Sequence, residues 1–358
     1  MAYNEIEKIL TKQVEENKTP SVQYAIFNQD SVIHQFRHGF ADMKQKLNVN
    51  ENTTYNVYSV TKTFTALAVL QLAGQNKIDI NQPAKKYLPA FPYSSTITVR
   101  QLLTHSAGIP NPIPINWIHL AEKHQSFNSS EFFAQIFQKN EKAKFRPDEK
   151  YAYSNLGYVL LGQIIENVSG TGYENYVREN IITRLKIKDS ELDFKIPETG
   201  KHAKGYQKKF SFSNLILGMF LDKSKFIDQT EGKWISFKNC YVNGASYGGL
   251  IGSTDAFIKY IQELLRPQSI LISDEYKKLL FSENHTGNNK ATGMCLSWFT
   301  GQLNGKQYFT HAGGGGGYYC ELRIYPDPGI GSLIMFNRSG MKDERFLDKL
   351  DKYILNGN

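Results

Sequence analysis

The sequence Ser59-Val60-Thr61-Lys62 lies at the start of an apolar-rich run. Apolar residues recur along this run at helical spacing, at Phe64, Leu67, Ala68 and Leu72. This periodicity predicts a helix over 61–72, with Ser59 in its first turn or just before it. Ser59 and Lys62 then lie on one face, about 5–6 Å apart at Cβ. A hydroxyl nucleophile beside an amine, near the positive end of a helix dipole, predicts an acylation pair.

A second Ser-x-x-Lys pattern occurs at Ser339-Gly340-Met341-Lys342. About two such matches are expected by chance in a chain of this composition, so the pattern alone identifies no site. The second match contains a glycine and follows an apolar run, which predicts a solvated turn after a strand. Ser59 therefore remains the candidate nucleophile, and its chemical partners must come from other parts of the chain.

The composition is that of an ordinary globular protein, with 358 residues, 41% hydrophobic and 21% charged. No apolar stretch reaches the roughly 18 residues needed to span a bilayer. The apolar stretch that comes nearest to this length, at 215–221, is expected to be a buried segment or a flap. The N-terminus has no basic segment followed by an apolar one. We therefore expect a cytoplasmic protein, unless a signal peptide has been removed.

Charge and cysteine usage argue against several classes of partner. The net charge is +8, but the lysines are scattered and form no basic stripe, so no nucleic-acid partner is expected. Cys240, Cys295 and Cys320 are an odd number without Cys-x-x-Cys spacing, which argues against disulfides and thiolate zinc sites. His34 and His38 are four apart but fall in strand-like sequence. No metal site or cofactor is expected.

Strand-like runs lie towards both ends of the chain, and helical patterns dominate its middle. The strand-like runs are at 22–27, 32–36, 295–300, 307–311, 318–325 and 332–336, and helical patterns open the chain, start at Asn155, follow Ser253 and close the chain over 346–354. This order predicts an α+β sandwich, mainly an antiparallel sheet flanked by helices, built from both chain ends. We expect an α/β domain of 1–75 and 245–358, an inserted mostly helical domain of 76–244, and an active site between them.

A serine nucleophile needs a base, and the best candidate is Tyr153. It lies in Tyr151-Ala-Tyr153-Ser154-Asn155, just before a predicted helix and after Pro147. That arrangement can direct both Tyr153 and Asn155 into a cleft. Lowering the pKa of a phenol from near 10 to near 7 takes about 4 kcal/mol, which one desolvated ammonium at close range can supply. Lys62 is the expected cation, although the resting proton can lie on either group.

The third element is Phe309-Thr310-His311-Ala312-Gly313-Gly314. A strand-like segment carries a histidine and then loses its side chains, so that a substrate can approach the backbone. The N–H groups of Gly314 and Ser59 are expected to form an oxyanion hole. The five glycines at 313–317 are not followed by Gly-Lys-Ser/Thr, which argues against a phosphate-binding loop.

The motifs Ser59-Val-Thr-Lys62, Tyr153-Ser-Asn155 and His311-Ala-Gly313, in this order, resemble those of the serine β-lactamase and penicillin-binding-protein superfamily. The resemblance is strongest to the class C β-lactamase-related branch, which includes D-peptidases and esterases. Three stretches outside these motifs support it, Thr98 to Gly108, Gly248 to Asp255 and Leu333 to Asn337. The similarity extends from about Val22 to the C-terminal helix, whereas 204–243 matches poorly and is expected to be a variable flap.

The resemblance implies a role for each motif residue. Ser59 would be the acylated nucleophile, with Lys62 and Tyr153 as its proton-transfer partners. Asn155 would bind Lys62 and the substrate amide or ester. The remaining substrate-binding and oxyanion positions are His311, Gly313 and Gly314. Typical β-lactamases carry lysine where this chain has His311, and a neutral imidazole holds a substrate carboxylate less well.

We therefore expect a serine hydrolase that acts through an acyl-enzyme on a small ester or a D-amino-acid-containing peptide, with β-lactam hydrolysis possible but weak. The alternative is a penicillin-binding or peptide-binding sensor on the same fold with little turnover. A metal-dependent hydrolase is a third possibility, but no ligands stand at a convincing spacing. His105, in Leu-Leu-Thr-His-Ser-Ala-Gly, is expected to be a structural, hydrogen-bonded histidine.

Overall fold

A computed structural model describes residues 2–197, 200–341 and 345–355, and of Ser213 the backbone only. The strands are β1 Ser21–Asn28, β2 Val32–Asp42, β3 Leu47–Asn48, β4 Thr54–Asn56, β5 Ile118–Leu120, β6 Leu192–Asp193, β7 Tyr206–Lys208, β8 Ile227–Glu231, β9 Trp234–Phe237, β10 Cys240–Val242, β11 Ile251–Ser253, β12 Phe299–Leu303, β13 Lys306–Gly315, β14 Tyr318–Tyr325 and β15 Ile330–Phe336.

The α-helices are α1 Ala2–Glu15, α2 Thr61–Gly74, α3 Val99–Leu103, α4 Ser129–Lys139, α5 Asn155–Ser169, α6 Tyr173–Val177, α7 Phe212–Phe220, α8 Lys223–Phe226, α9 Ala245–Gly248, α10 Thr254–Leu265, α11 Asp274–Leu280 and α12 Asp348–Leu355. Short 3₁₀ turns occur at Tyr58–Val60, Ala84–Lys86, Pro114–Asn116 and Ala121–Ser126, and a π-helical turn at Arg178–Ile182.

A seven-stranded sheet joins the two ends of the chain. Its order is β12-β13-β14-β15-β1-β2-β3, and every neighbouring pair in it is antiparallel. The junction is the pairing of β1 with β15, where Val22 lies opposite Phe336. The predicted antiparallel sheet built from both chain ends is therefore confirmed. The domain boundaries at 75/76 and 244/245 stay a prediction.

Strand β1 is buried on both faces, which explains its nearly continuous apolar sequence. Val22, Tyr24 and Ile26 point to one side, into a cluster that includes Ile6 of α1. Ala25 and Phe27 belong to the larger core on the other side. Helices α1 and α12 pack together on the first side, and α10 packs on β1 and β15. The predicted helix–sheet–helix layering is confirmed.

Two predicted element boundaries are wrong. Strand β12 begins at Phe299 instead of 295, because the segment before it turns back on itself. The N–H of Cys295 donates to the carbonyl of Trp298, and Ser297 between them has φ = 73°. The closing helix begins at Asp348 instead of 346. Three of its expected apolar residues, Leu350, Tyr353 and Ile354, still face the α1 side of the sheet.

The apolar stretch at 215–221 is not the buried segment allowed by the sequence prediction. It forms most of α7, and Leu215 and Met219 on this helix are exposed. Only the residue that follows the helix, Leu221, is buried. Within the described ranges, no helix has the length and apolar composition needed to span a bilayer.

Candidate active site

Ser59 lies in the 3₁₀ turn Tyr58–Val60, immediately before α2. The side chains of α2 from Thr61 to Ala73 are all buried, so the helix is a rigid support for this turn. Tyr58 has φ = 45°, a left-handed conformation that costs a non-glycine residue free energy and is typical of functional turns. The structure thus places Ser59 just ahead of the predicted helix.

Lys62 lies three residues after Ser59, in the first turn of α2. Its Nζ is 3.0 Å from the Ser59 Oγ. The Nζ also donates to the carbonyl oxygen of Tyr247 at 2.7 Å. The rings of Tyr153, Tyr158 and Tyr247 surround it, with centroids 5.0, 5.5 and 5.4 Å from the Nζ. The side chain is fully buried, and among the described residues no carboxylate forms an ion pair with it. Burial therefore lowers the pKa of Lys62 well below its usual value.

Tyr153 completes the group, since its Oη lies 2.9 Å from the Ser59 Oγ. The loop that carries it ends at Ser154, whose Oγ caps α5 by accepting the N–H of Gly157 at 3.2 Å. The helix prediction at Asn155 is confirmed, including its left-handed glycine end at Gly170. The structure therefore places the Lys62 Nζ and the Tyr153 Oη each within hydrogen-bond range of the Ser59 Oγ.

His105 supports the Tyr153 loop, as expected of a structural histidine. Its Nδ1 accepts the N–H of Ser154 at 3.1 Å, and its carbonyl accepts the N–H of Ala152 at 2.8 Å. Its ring lies 4.3 Å from that of Tyr153, centroid to centroid. Burial and the nearby Lys62 and His311 keep its pKa well below the usual value. His105 is thus a neutral residue that positions Tyr153.

Asn155 differs from its predicted contacts. Its backbone N–H donates to the Oδ1 of Asn111 at 3.0 Å. Its side-chain Oδ1 is buried without a protein partner, and the described part of the chain shows no hydrogen bond from Asn155 to Lys62. The carbonyl of Tyr247 takes that position instead, because α9 packs against α2. A role for Asn155 in binding substrate stays a prediction.

Strand β13 forms one wall of the site. It runs further through the glycines than predicted and ends at Gly315. Its pairing with β12 stops at Thr310, opposite Phe299, so the following residues have no β12 partner on that edge. A Cβ on Gly313 would lie 2.0 Å from the carbonyl oxygen of Val57 and 2.8 Å from the Ser59 N. Gly313 is required because the backbone of β13 directly contacts the turn that holds Ser59.

His311 is neutral at this wall. Burial and the proximity of Lys62 lower its pKa to about 3. Its Nδ1 lies 2.8 Å from the Ala312 carbonyl, which only accepts, so the proton of the neutral ring is on Nδ1. The Nε2 is then an acceptor, and it is buried without a protein partner. The expectation of a neutral imidazole agrees with this geometry.

These groups line one cleft of about 670 Å³. The predicted residues among its lining are Ser59, Tyr153, His311, Gly313 and Gly314. Sequence reasoning missed Tyr151, Phe299 and Arg345 on its walls, and Tyr247 behind Lys62. Tyr247 directly precedes Gly248-Gly249, and that glycine pair was the available signal for a close approach of backbones.

The second Ser-x-x-Lys segment follows strand β15 and its Gly340 is exposed, as predicted, but the segment also lies at the cleft. Ser339, Gly340 and Met341 line the cleft, and the Ser339 Oγ donates to the Oε1 of Gln207 at 2.9 Å. Lys342 lies outside the described residues. The N–H of Ser339 also donates to the carbonyl of Tyr206. These two hydrogen bonds from Ser339 to β7 hold the segment in its position beside the cleft.

His34 and His38 lie on β2, and the ring of His34 stacks on Tyr3 with centroids 4.7 Å apart. Across residues 2–197, 200–341 and 345–355, no cluster of three or more histidine, cysteine, aspartate or glutamate side chains could hold a metal ion.

Comparison with known proteins places this geometry in a family. The family profile described as Beta-lactamase matches residues 6–355. The chain is 25% identical to penicillin-binding protein 4* of Bacillus subtilis, over 83% of this chain and 63% of that protein. It is 24% identical to protein flp of Staphylococcus aureus, over 98% of this chain and 66% of that protein. The chain thus spans just under two thirds of the length of these relatives.

Solved structures share the fold. The octameric penicillin-binding protein homologue from Pyrococcus abyssi superposes with a TM-score of 0.79 at 23% identity, covering 99% of this chain and 77% of that one. The D-amino acid amidase from Ochrobactrum anthropi SV3, complexed with L-phenylalanine amide, gives a TM-score of 0.76 at 18% identity, covering 99% of each chain. The resemblance inferred from the three motifs is confirmed, and the chain belongs to the Beta-lactamase family.

Proposed function

We propose that this protein is a serine hydrolase that acts through an acyl-enzyme on small esters or on amides of D-amino acids. The observation that carries the proposal is the position of the Ser59 Oγ, 3.0 Å from the Lys62 Nζ and 2.9 Å from the Tyr153 Oη. A nucleophile within hydrogen-bond range of two proton-transfer groups, in an open cleft, is the arrangement that acyl transfer requires.

Lys62 accepts the serine proton in this mechanism. The sequence favoured an ammonium at Lys62 that stabilises a Tyr153 phenolate. The buried Lys62 has no carboxylate partner among the described residues, and its pKa is lowered by burial, so the free amine is favoured. The proton of the Ser59 hydroxyl passes to Lys62 as the Oγ forms a bond to the substrate carbonyl carbon.

Tyr153 acts on the leaving group. As the tetrahedral intermediate collapses, the bond to the alcohol or amine breaks, and the Tyr153 hydroxyl gives that group its proton. Lys62 then returns a proton to Tyr153. A water attacks the acyl-enzyme, its proton is taken by the Tyr153–Lys62 pair, and the Ser59 Oγ is released and protonated. Each residue ends in its starting state, as a catalyst must.

The oxyanion is expected to lie between the turn of Ser59 and strand β13. The backbone of β13 at Gly313 directly contacts the turn of Ser59, which supports an oxyanion site between these two segments. Ser59 and Gly314 are the proposed donors. Removing one donor of such a pair typically costs about 10²–10³ in kcat.

The state of His311 supports the choice of substrate. A lysine at this position would offer a cation to a substrate carboxylate, whereas the neutral imidazole offers an acceptor at Nε2. An acceptor suits a substrate with a hydrogen-bond donor, such as an amide or amine, better than the carboxylate of a penicillin. The D-amino acid amidase fold match supports the same choice, and Arg345, the one lysine or arginine among the described residues that line the cleft, is exposed.

A substrate panel tests the proposal. The purified protein is assayed with p-nitrophenyl esters, the p-nitroanilides of D- and L-alanine, and nitrocefin. We expect steady turnover of an ester or a D-amide and weak turnover of nitrocefin, which His311→Lys should increase. A burst equal to the enzyme concentration without turnover would support the sensor alternative instead. Absence of both burst and turnover on all substrates would overturn the proposal.

A further inference from the structure

An apolar surface on α7 remains unexplained by the acylation site. It consists of Phe210, Phe212, Leu215, Met219 and Phe220, which we call the α7 patch. Phe210 is 86% exposed, Phe212 77% and Met219 73%. Scattered exposed apolar residues are ordinary, but a contiguous group of large ones on a single short helix marks a contact surface.

Lysines surround the α7 patch. Residues 201–240 contain eight lysines and three carboxylates, a net charge of +5 out of +8 for the whole chain. Lys209 is exposed, with its Nζ over the ring of Phe210 at 5.5 Å from the centroid. Lys225, on α8, is exposed too, and pairs with Asp222 at 3.4 Å. The surface is therefore both strongly apolar and positively charged.

We propose that the α7 patch docks on an anionic lipid bilayer, with its apolar side chains inserted among the lipid headgroups. A helix of nine residues is about 14 Å long, too short to cross a bilayer. Helices that lie in the interface combine a buried apolar face with lysines that contact anionic lipid. The α7 patch has both features.

Charge argues against a second copy of the chain as the occupant. A two-fold symmetric dimer through the α7 patch would bring two regions of like charge together, because each copy carries the +5 of residues 201–240. An anionic membrane surface instead attracts lysines, and each lysine close to the surface raises the binding constant by about a factor of five. The bilayer is the occupant that satisfies the apolar and the charged parts of the surface together.

Docking at the α7 patch would hold the cleft close to the membrane. Strand β7 leads into α7, and its Tyr206 and Gln207 hydrogen-bond to Ser339, which lines the cleft. Helix α7 also contacts the turn Pro114–Asn116. Ile113, just before that turn, is 63% exposed. This arrangement gives the protein access to acyl compounds held at a bilayer, which the proposed reaction does not itself require.

The test is co-sedimentation of the purified chain with phosphatidylcholine vesicles, either pure or containing about 30% phosphatidylglycerol. We expect binding to the anionic vesicles, at least about tenfold weaker binding to the neutral ones, and loss of binding in about 0.5 M salt. Phe212→Ser with Met219→Ser, and separately Lys209→Gln with Lys225→Gln, should each weaken binding at least about tenfold.

Matched variants control for general effects. Ile270→Ser changes an exposed apolar residue on the loop after α10, and Lys85→Gln with Lys86→Gln removes two exposed charges elsewhere. Both should bind vesicles as the unaltered chain does, and circular dichroism melting should show every variant folded.

The proposal is overturned if anionic vesicles are not bound, or if binding survives both α7-region variants. It is also overturned if sedimentation velocity shows a dimer that Phe212→Ser with Met219→Ser dissociates. Ser59→Ala should bind vesicles normally, which separates this result from failure of the proposed reaction.

Discussion

The Tyr153 Oη lies 2.9 Å from the Ser59 Oγ, although 94 positions separate the two residues in the chain. Helix α2 follows Ser59 and helix α5 follows Tyr153, and these two helices pack directly on each other. Both are buried along most of their length. The distance between the proposed nucleophile and the proposed proton donor is thus set by the packing of two core helices, which makes it a property of the rigid part of the fold.

Tyr153→Phe removes the hydroxyl that we expect to protonate the leaving group. The ring and its contacts with His105 remain, so folding should be unaffected. We expect kcat/KM on the best substrate to fall by about 10²–10⁴, with little change in KM. Steady-state kinetics provides the measurement.

Tyr176→Phe is the matched control for that variant, because Tyr176 is also a buried tyrosine and is not among the residues that line the cleft. It should retain full activity. Near-normal turnover by Tyr153→Phe would show that another group protonates the leaving group.

Lys62→Met should abolish activity and yet raise stability at neutral pH. Burial lowers the pKa of Lys62 in the folded protein. At pH 7 the unfolded chain therefore binds a proton at this lysine more strongly than the folded chain does. Stability therefore rises with pH until the lysine is neutral in both states. The advantage of Lys62→Met should be present at neutrality and shrink as the pH rises towards 10. Urea unfolding at several pH values measures it, with Lys85→Met as the exposed control.

A loss of stability in Lys62→Met that is the same at every pH would mean that the hydrogen bonds of the Nζ outweigh its desolvation.

Gly313→Ala tests the contact between β13 and the nucleophile turn. The added Cβ would lie 2.0 Å from the Val57 carbonyl oxygen, so the strand must move away from Ser59 and widen the oxyanion site. We expect kcat to fall by about 10²-fold or more. At Gly172, a Cβ would meet nothing within 4 Å, so Gly172→Ala should keep normal kinetics. An active Gly313→Ala would contradict the proposed position of the oxyanion.

Acid should destabilise the protein through its buried histidines. Burial lowers the pKa of both His202 and His311 from 6.5 to about 3. Their contribution to stability is present above pH 6.5 and is lost as the pH falls from 6.5 towards 3, because only the unfolded chain takes up the protons. Between pH 7.5 and 5.5, each should cost about 1.4 kcal/mol of unfolding free energy.

His202→Gln should reduce that acid-induced loss by about 1.4 kcal/mol, whereas the same change at the exposed His285 should leave it as it is. Urea titrations at the two pH values provide the comparison. An equal loss in both variants would assign the acid sensitivity to other groups.

Much of the fold is predictable from local patterns. Helices α2, α5 and α10 were expected from apolar spacing and capping residues, and each is present, with Ser154 and Ser253 as side-chain caps. Six of the seven strands of the main sheet were expected for the same reason, since burial imposes a readable apolar pattern, whereas the two-residue strand β3 was not predicted. Boundaries were wrong where a turn depends on one unusual conformation, as at Ser297 before β12.

The site was predictable only in part. Ser59, Lys62, Tyr153 and His311 belong to short sequence motifs, and these residues meet as expected. Ser339 reaches the cleft through contacts between distant segments, which no local pattern encodes, and the only local signal for Tyr247 was the adjacent glycine pair. The lowered pKa of Lys62 also escaped prediction, because it depends on the complete burial of that side chain. The exposed face of α7 has an apolar pattern that sequence cannot distinguish from a buried one.

The central claim is that Ser59 becomes acylated, and peptide mass spectrometry tests it most directly. The chain is incubated with a p-nitrophenyl ester or a penicillin probe, quenched in acid and digested. We predict one acyl adduct, on the peptide containing Ser59, that is absent in Ser59→Ala and retained in Ser339→Ala, which alters the other Ser-x-x-Lys serine on the cleft wall. An adduct that persists in folded Ser59→Ala, or no adduct at all on the folded unaltered chain, would contradict the account.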